Sequence, residues 1–143
     1  MRFEFEVEIE RPVSEVFAYV TDVANLPEWQ RATSSAAWED GDRPRTGARI
    51  RQQTAFLGRS LDILLEVTAY EPEHRFDLRT IEGPISFTVR HSFQPANSGT
   101  RIHFVGEGEP GGFFRLARSM VARQAERESR ADFARLKEIL ESG

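Results

Sequence analysis

The chain has 143 residues, 39% hydrophobic and 29% charged, a composition that fits one globular domain over residues 1–143 and excludes a disordered segment. Its formal net charge of −4 gives no electrostatic reason to propose a nucleic-acid partner. With no Cys there is no disulfide framework, thiolate nucleophile or Cys-based metal site, and no apolar run is long enough for a signal peptide or membrane span, which makes the cytoplasm the expected location.

Residues 2–10 alternate strictly, with Phe3, Phe5, Val7 and Ile9 on one face and Glu4, Glu6, Glu8 and Glu10 on the other. That is the pattern of a half-buried antiparallel strand. Pro12 suits the first turn of a helix, and Val13, Val16, Phe17 and Val20 continue at helical spacing to about Asp22. A second short helix is expected over 25–29, with Pro27 near its first turn. A weak strand over 34–39 and a loop over 40–47 come next.

The period then stays at two, and successive turns predict a meander of strands. A type II′ turn with Gly58 at its first central position places Phe56 opposite Leu61, Thr54 opposite Ile63, Gln52 opposite Leu65 and Ile50 opposite Val67. The turn at 71–74 sets Ala69 against Phe76, Val67 against Leu78 and Leu65 against Thr80. Gly83-Pro84 sets Thr80 against Phe87, Leu78 against Val89 and Phe76 against His91. The turn at 95–100 sets Phe93 against Ile102 and His91 against Phe104. Each turn brings an apolar row to the same face, and a one-residue slip in any of them would turn a strand inside out.

Residues 106–112 are rich in Gly but carry two carboxylates and no following Lys. They make a poor phosphate cradle and are expected to be a flexible lead into the C-terminal segment. From Phe113 to Glu141 there is neither Pro nor Gly, and Ala, Leu, Arg and Glu dominate, so a helix of roughly 40 Å is expected. Phe113, Ala117, Met120, Val121, Ala125 and Ile139 share its apolar side, flanked by Phe133, Leu136 and Leu140, while Arg115, Arg123, Arg127 and Arg130 form a solvated face. Gln124, Glu128 and Asp132 interrupt the apolar arc. Either the helix protrudes there and these chains snorkel to water, or they border a polar patch in a cavity. Met120 and Phe17 are both expected in the helix–sheet packing.

Five polar residues fall on the inward rows: Gln52, Thr54, Thr80, Glu82 and His91. Gln52 and Thr80 would flank Leu65, and Glu82, near a strand end, would reach water. His91, among Phe76, Val89, Phe93 and Phe104, is either a structural ring bonded to a backbone carbonyl or a ligand-orienting or acid/base group in a pocket. By parity His103 faces outward and His74 lies in a turn, so no His cluster forms and no metal site is expected. No Gly-x-Ser-x-Gly elbow is present.

Several short marks occur in a characteristic order: Glu10-Arg11-Pro12-Val13-Ser14-Glu15-Val16-Phe17-Ala18-Tyr19-Val20-Thr21-Asp22, then Leu26-Pro27-Glu28-Trp29, Thr46-Gly47, Gly99-Thr100 and Leu136-Lys137-Glu138-Ile139-Leu140-Glu141. Over nearly its whole length the chain resembles the SRPBCC (START/Bet v 1-like) superfamily, in particular its polyketide cyclase/dehydrase-like branch. The resemblance implies an α+β helix-grip fold: a seven-stranded antiparallel sheet curved around a long C-terminal helix, with two short helices after the first strand. It also implies a cavity between sheet and helix for a lipophilic small molecule, without a cofactor. The residues expected to line that cavity are Phe17, Gln52, Thr54, Leu65, Phe76, Leu78, Thr80, Phe87, Val89, His91, Phe104, Phe113, Met120, Gln124 and Glu128. Three functions remain open: a carrier or sensor of a hydrophobic metabolite, a cyclase or dehydratase using His91 as acid/base, and a protein-interaction or co-chaperone-like module. Oligomeric state is left open.

Overall fold

The computed structural model describes the backbone of residues 1–143 and every side chain except that of Phe113. The alternating N-terminal stretch forms β1 (Arg2–Ile9), with Phe5 and Ile9 buried. Two short helices come next, α1 (Val13–Thr21) and α2 (Leu26–Trp29), joined by a 3-10 turn over Val23–Asn25. Val16, Phe17 and Val20 on α1 and Leu26 and Trp29 on α2 are buried, so both helices close one end of the core.

Six strands then run up and down: β2 (Thr33–Trp38), β3 (Arg49–Phe56), β4 (Arg59–Glu71), β5 (Arg75–Glu82), β6 (Ile85–Ala96) and β7 (Gly99–Pro110). The sheet has seven strands in the order β1-β7-β6-β5-β4-β3-β2, antiparallel at every step. Gly99 closes this arrangement at the β1 end. A Cβ there would stand 2.1 Å from the Ile9 carbonyl oxygen, so only glycine lets the β6–β7 turn lie against the end of β1.

The registers agree with expectation from β5 onward: Phe76 pairs with His91, Leu78 with Val89, Phe93 with Ile102 and His91 with Phe104. Two differ. The β3–β4 turn uses Leu57 and Gly58 as its central pair, at φ of 48° and 80°, which is a type I′ turn and not type II′. Phe56 therefore faces Arg59, Thr54 faces Leu61, Gln52 faces Ile63 and Ile50 faces Leu65, a shift of two residues that keeps every face. In β4, a bulge between Val67 and Ala69 puts Tyr70, not Ala69, opposite Phe76, while Val67–Leu78 and Leu65–Thr80 hold. The β5–β6 ladder ends at Arg79–Thr88; beyond it Thr80 Oγ1 accepts a hydrogen bond from the Phe87 amide at 3.0 Å. Bulges in β4, and another between Thr33 and Ser35 in β2, bend the sheet so that it can wrap the last helix.

Residues 106–110, expected to be flexible, instead continue β7, and Gly106 and Gly108 bring Phe3, Phe87 and Met1 close to the strand. The helical stretch begins as a 3-10 turn over Gly112–Ala117, and α3 proper runs Arg118–Ser142, about 37 Å long. Its C-terminal half is the buried half, with Phe133, Leu136 and Leu140 all in the main core. Met120, expected in that packing, is 52% exposed and Leu116 is 97% exposed. Arg130 is exposed, as expected of the solvated face, and also lays its guanidinium 4.9 Å from the centroid of Phe5. The end of α3 is clasped to the β1–α1 corner: Lys137 Nζ donates to the Glu8 carbonyl at 2.6 Å, Arg11 Nη2 to the Glu141 carbonyl at 3.2 Å, and the Glu10 amide to Glu141 Oε2 at 2.9 Å.

Candidate functional site

Helix α3 rests chiefly on β1 and α2, while β3 to β6 bow away from it. The space between is a cavity of about 240 Å³. It is smaller than the roughly 300–1,000 Å³ pockets that enclose drug-sized ligands, so it suits a small ligand or one that protrudes through the mouth. Most of its wall is apolar: Ile50, Ile63, Leu65, Phe76 and Leu78 from β3–β5, with Val20 and Leu26 at the closed end. A second, smaller apolar cluster of Ile85, Phe114 and Val121 gathers where β6 meets the start of α3, joined by Phe56, Leu57 and Leu61 of the β3–β4 hairpin.

Ten of the fifteen expected residues fall in this wall. Gln52 and Thr54 come from β3, Leu65 from β4, Phe76 and Leu78 from β5, Phe87, Val89 and His91 from β6, Phe104 from β7 and Glu128 from α3. Four lie outside it. Phe17 is buried against Tyr70 and Phe93, with ring centroids 5.5 and 5.0 Å away, and so belongs to the filled base. Thr80 is spent on the β5–β6 backbone, Met120 points out, and Gln124 turns aside to donate to Glu128 Oε1 at 3.0 Å. The side chain of Phe113 lies outside the described residues. Gln52 and Thr80 do not flank Leu65, because the register shift moves Gln52 opposite Ile63. Glu82 reaches water, as expected of a strand end.

Three polar groupings punctuate the wall. In the first, Gln52, only 7% exposed, donates its amide to Gln30 Oε1 at 3.1 Å and to Thr33 Oγ1 at 2.8 Å, and Thr33 Oγ1 donates to Gln30 Oε1 at 2.9 Å. These bonds use the amide nitrogen of Gln52 and leave its Oε1 without a partner among the described residues. The second is His91, 5% exposed, whose Nδ1 lies 2.7 Å from the Phe76 carbonyl oxygen. A carbonyl only accepts, so Nδ1 carries the hydrogen and Nε2 holds the lone pair. Burial lowers the imidazole's pKa and keeps the ring neutral. Nε2 has no partner among the described residues, and the ring forms part of the cavity wall.

The third grouping was only half visible in the sequence. Glu128 and Asp132, one turn apart on α3, both line the cavity, with Ser129 between them. Asp132 Oδ1 accepts from the Arg31 amide at 3.3 Å. Burial, helped by the charge of Glu128, pushes the Asp132 carboxyl up to about 6, against the pull of the Arg31 amide and of Arg135. At Glu128 and Asp132 the interruption of the apolar arc therefore borders the cavity, whereas Gln124 lies outside its wall. Gln30 and Trp29 also line the space; in the sequence Trp29 figures only as part of the Leu26-Pro27-Glu28-Trp29 mark, and Gln30 gave no signal beyond its place after a short helix. The buried Trp29 Nε1–H finds no acceptor among the described residues; its ring meets Phe133 edge-on at 5.1 Å. No group of His, Cys, Asp and Glu able to hold a metal occurs among the described residues, and no helix is long and apolar enough to cross a membrane.

Comparison with known proteins places these features. A family model described as polyketide cyclase/dehydrase and lipid transport matches residues 1–141. Among solved structures, TTHA0849 from Thermus thermophilus superposes with a TM-score of 0.83 at 20% identity, covering 96% of this chain and 95% of its own. A START superfamily protein from Mycobacterium smegmatis gives 0.79 at 16% identity, covering 99% and 97%. Ara h 8.0201 gives 0.79 at 17% identity, covering 100% and 99%. Similarities at these identities speak for the helix-grip fold alone. No curated protein sequence matches the chain.

Proposed function

The chain belongs to the polyketide cyclase/dehydrase and lipid transport family, and from that premise we propose that it binds a lipophilic small molecule between α3 and the sheet, as a carrier or sensor. The observation that carries this reading is the cavity itself: about 240 Å³, walled by apolar side chains with a few convergent polar groups. An open recess of this size between two otherwise packed layers leaves apolar surface that an apolar occupant would cover.

Displacement of a fluorescent lipophile tests it. Saturable one-site binding, with a Tm that rises with ligand concentration, is the expected result; an interior that takes up no lipophile would sink the reading. The enzymatic alternative would use His91 as acid/base. Its ring is anchored to a backbone carbonyl and burial holds it neutral, which supports a fixed binding group over a proton shuttle.

A further inference from the structure

We infer that the cavity selects an uncharged apolar molecule bearing a hydroxyl, such as a lipophilic alcohol or phenol, and rejects anions such as carboxylates. This rests on the binding reading above and names its ligand class. Two polar side chains buried in the apolar wall, His91 and Gln52, have spent their donors on the protein. His91 gives Nδ1–H to the Phe76 carbonyl, and Gln52 gives its amide to Gln30 and Thr33. What each has left is an acceptor, Nε2 and Oε1. An occupant that buries against them without a donor leaves both desolvated and unpaired, a cost that a hydroxyl, with its one hydrogen, relieves at one of them.

Charge points the same way. Neither Lys nor Arg lines the cavity among the described residues, whereas Glu128 and Asp132 do. A third carboxylate in the wall, Glu107, is already paired with Arg90 at 2.9 Å. The hydroxyls of Thr54 and Ser129 and the amide of Gln30 are neutral and cannot balance a full negative charge in an apolar space beside two carboxylates. Carboxylates entering this cavity meet negative charge where they need a cation, and the Trp29 Nε1–H in its wall, unpaired among the described residues, is a neutral donor that a hydroxyl oxygen satisfies equally well.

Three probes of one shape separate the possibilities: 2-naphthol, naphthalene and 2-naphthoate, each titrated at pH 7.5 and followed by calorimetry. The expected order is 2-naphthol tightest, naphthalene weaker by roughly threefold to tenfold for the lost hydrogen bond, and 2-naphthoate weakest. Replacing the acceptor, in His91→Phe or, should that variant not fold, Gln52→Leu, is expected to narrow the gap between naphthol and naphthalene. Naphthoate binding as tightly as naphthol, or naphthalene equalling naphthol in the parent protein, would overturn the inference while leaving the cavity reading intact. Failure of all three to bind would remove both.

Discussion

Asp132 is a carboxyl held where its neutral form is preferred, and its effect on stability has a defined sign. Its folded pKa is about 6 against an ordinary 3.8, so between those values the native state binds more protons than the unfolded chain. The stability this confers is complete below about 3.8 and is lost as pH rises through about 6. Asp132→Asn keeps an acceptor for the Arg31 amide and removes the ionisation. It should melt higher than the parent protein at pH 8, with the difference closing toward pH 4, as thermal melts across that range would show. His91 acts in the opposite sense. Its folded pKa is lowered by burial, so its contribution is present above the ordinary value of 6.5 and lost as pH falls through the folded pKa. The two groups, on facing elements of one cavity, thus pull stability in opposite directions as the medium is acidified.

At the level of elements, α3 is two unlike halves. From Phe133 onward it is buried and tied by Lys137, Arg11 and Glu141, whereas toward its start only Val121 is fully buried. Met120→Ala should therefore change stability by no more than about 0.5 kcal/mol. Phe17→Ala, which empties a site wedged between Tyr70 and Phe93, should cost about 3–5 kcal/mol. Urea titrations of the two variants would check the contrast; equal losses would contradict it. The same helix shows what sequence can carry. Amphipathic periodicity finds its extent but assumes that every apolar residue near the right phase has something to pack on, and at this level Val121 takes the contact with Ile85 and Phe114 while Met120 points out. In the strands, face parity survived except past the β4 bulge, where Tyr70 takes the core face in place of Ala69. A two-residue shift at Leu57-Gly58 changes partners and keeps sides, and the β4 bulge exchanges Ala69 for Tyr70 opposite Phe76. Neither leaves a mark in local periodicity: the first is a choice between two turn types that Gly58 allows equally, and the second adds one residue inside the run from Val67 to Tyr70, where both parities carry apolar or aromatic side chains. Most of the cavity wall was legible because it follows from parity; the Asp132 corner and the turning aside of Gln124 depend on how α3 meets α2, which no single strand encodes.

For the molecule as a whole, the bulged sheet sets the volume and α3 sets the lid, so capacity and stability should respond oppositely to filling. Ala125 lines the cavity from α3. Ala125→Leu adds apolar volume into the void from a position that belongs to neither core cluster. It should leave Tm unchanged or raised, and lower lipophile affinity by about tenfold or more, measured by displacement alongside melts; an unaltered affinity would show that the occupant sits elsewhere. The corner clasp has a chemical corollary. Lys137 is the chain's one lysine, and its ammonium is already shared between the Glu8 carbonyl and Glu141 Oε2. Acylating reagents directed at side-chain amines thus have a single target, and the modification removes the charge that holds this corner together.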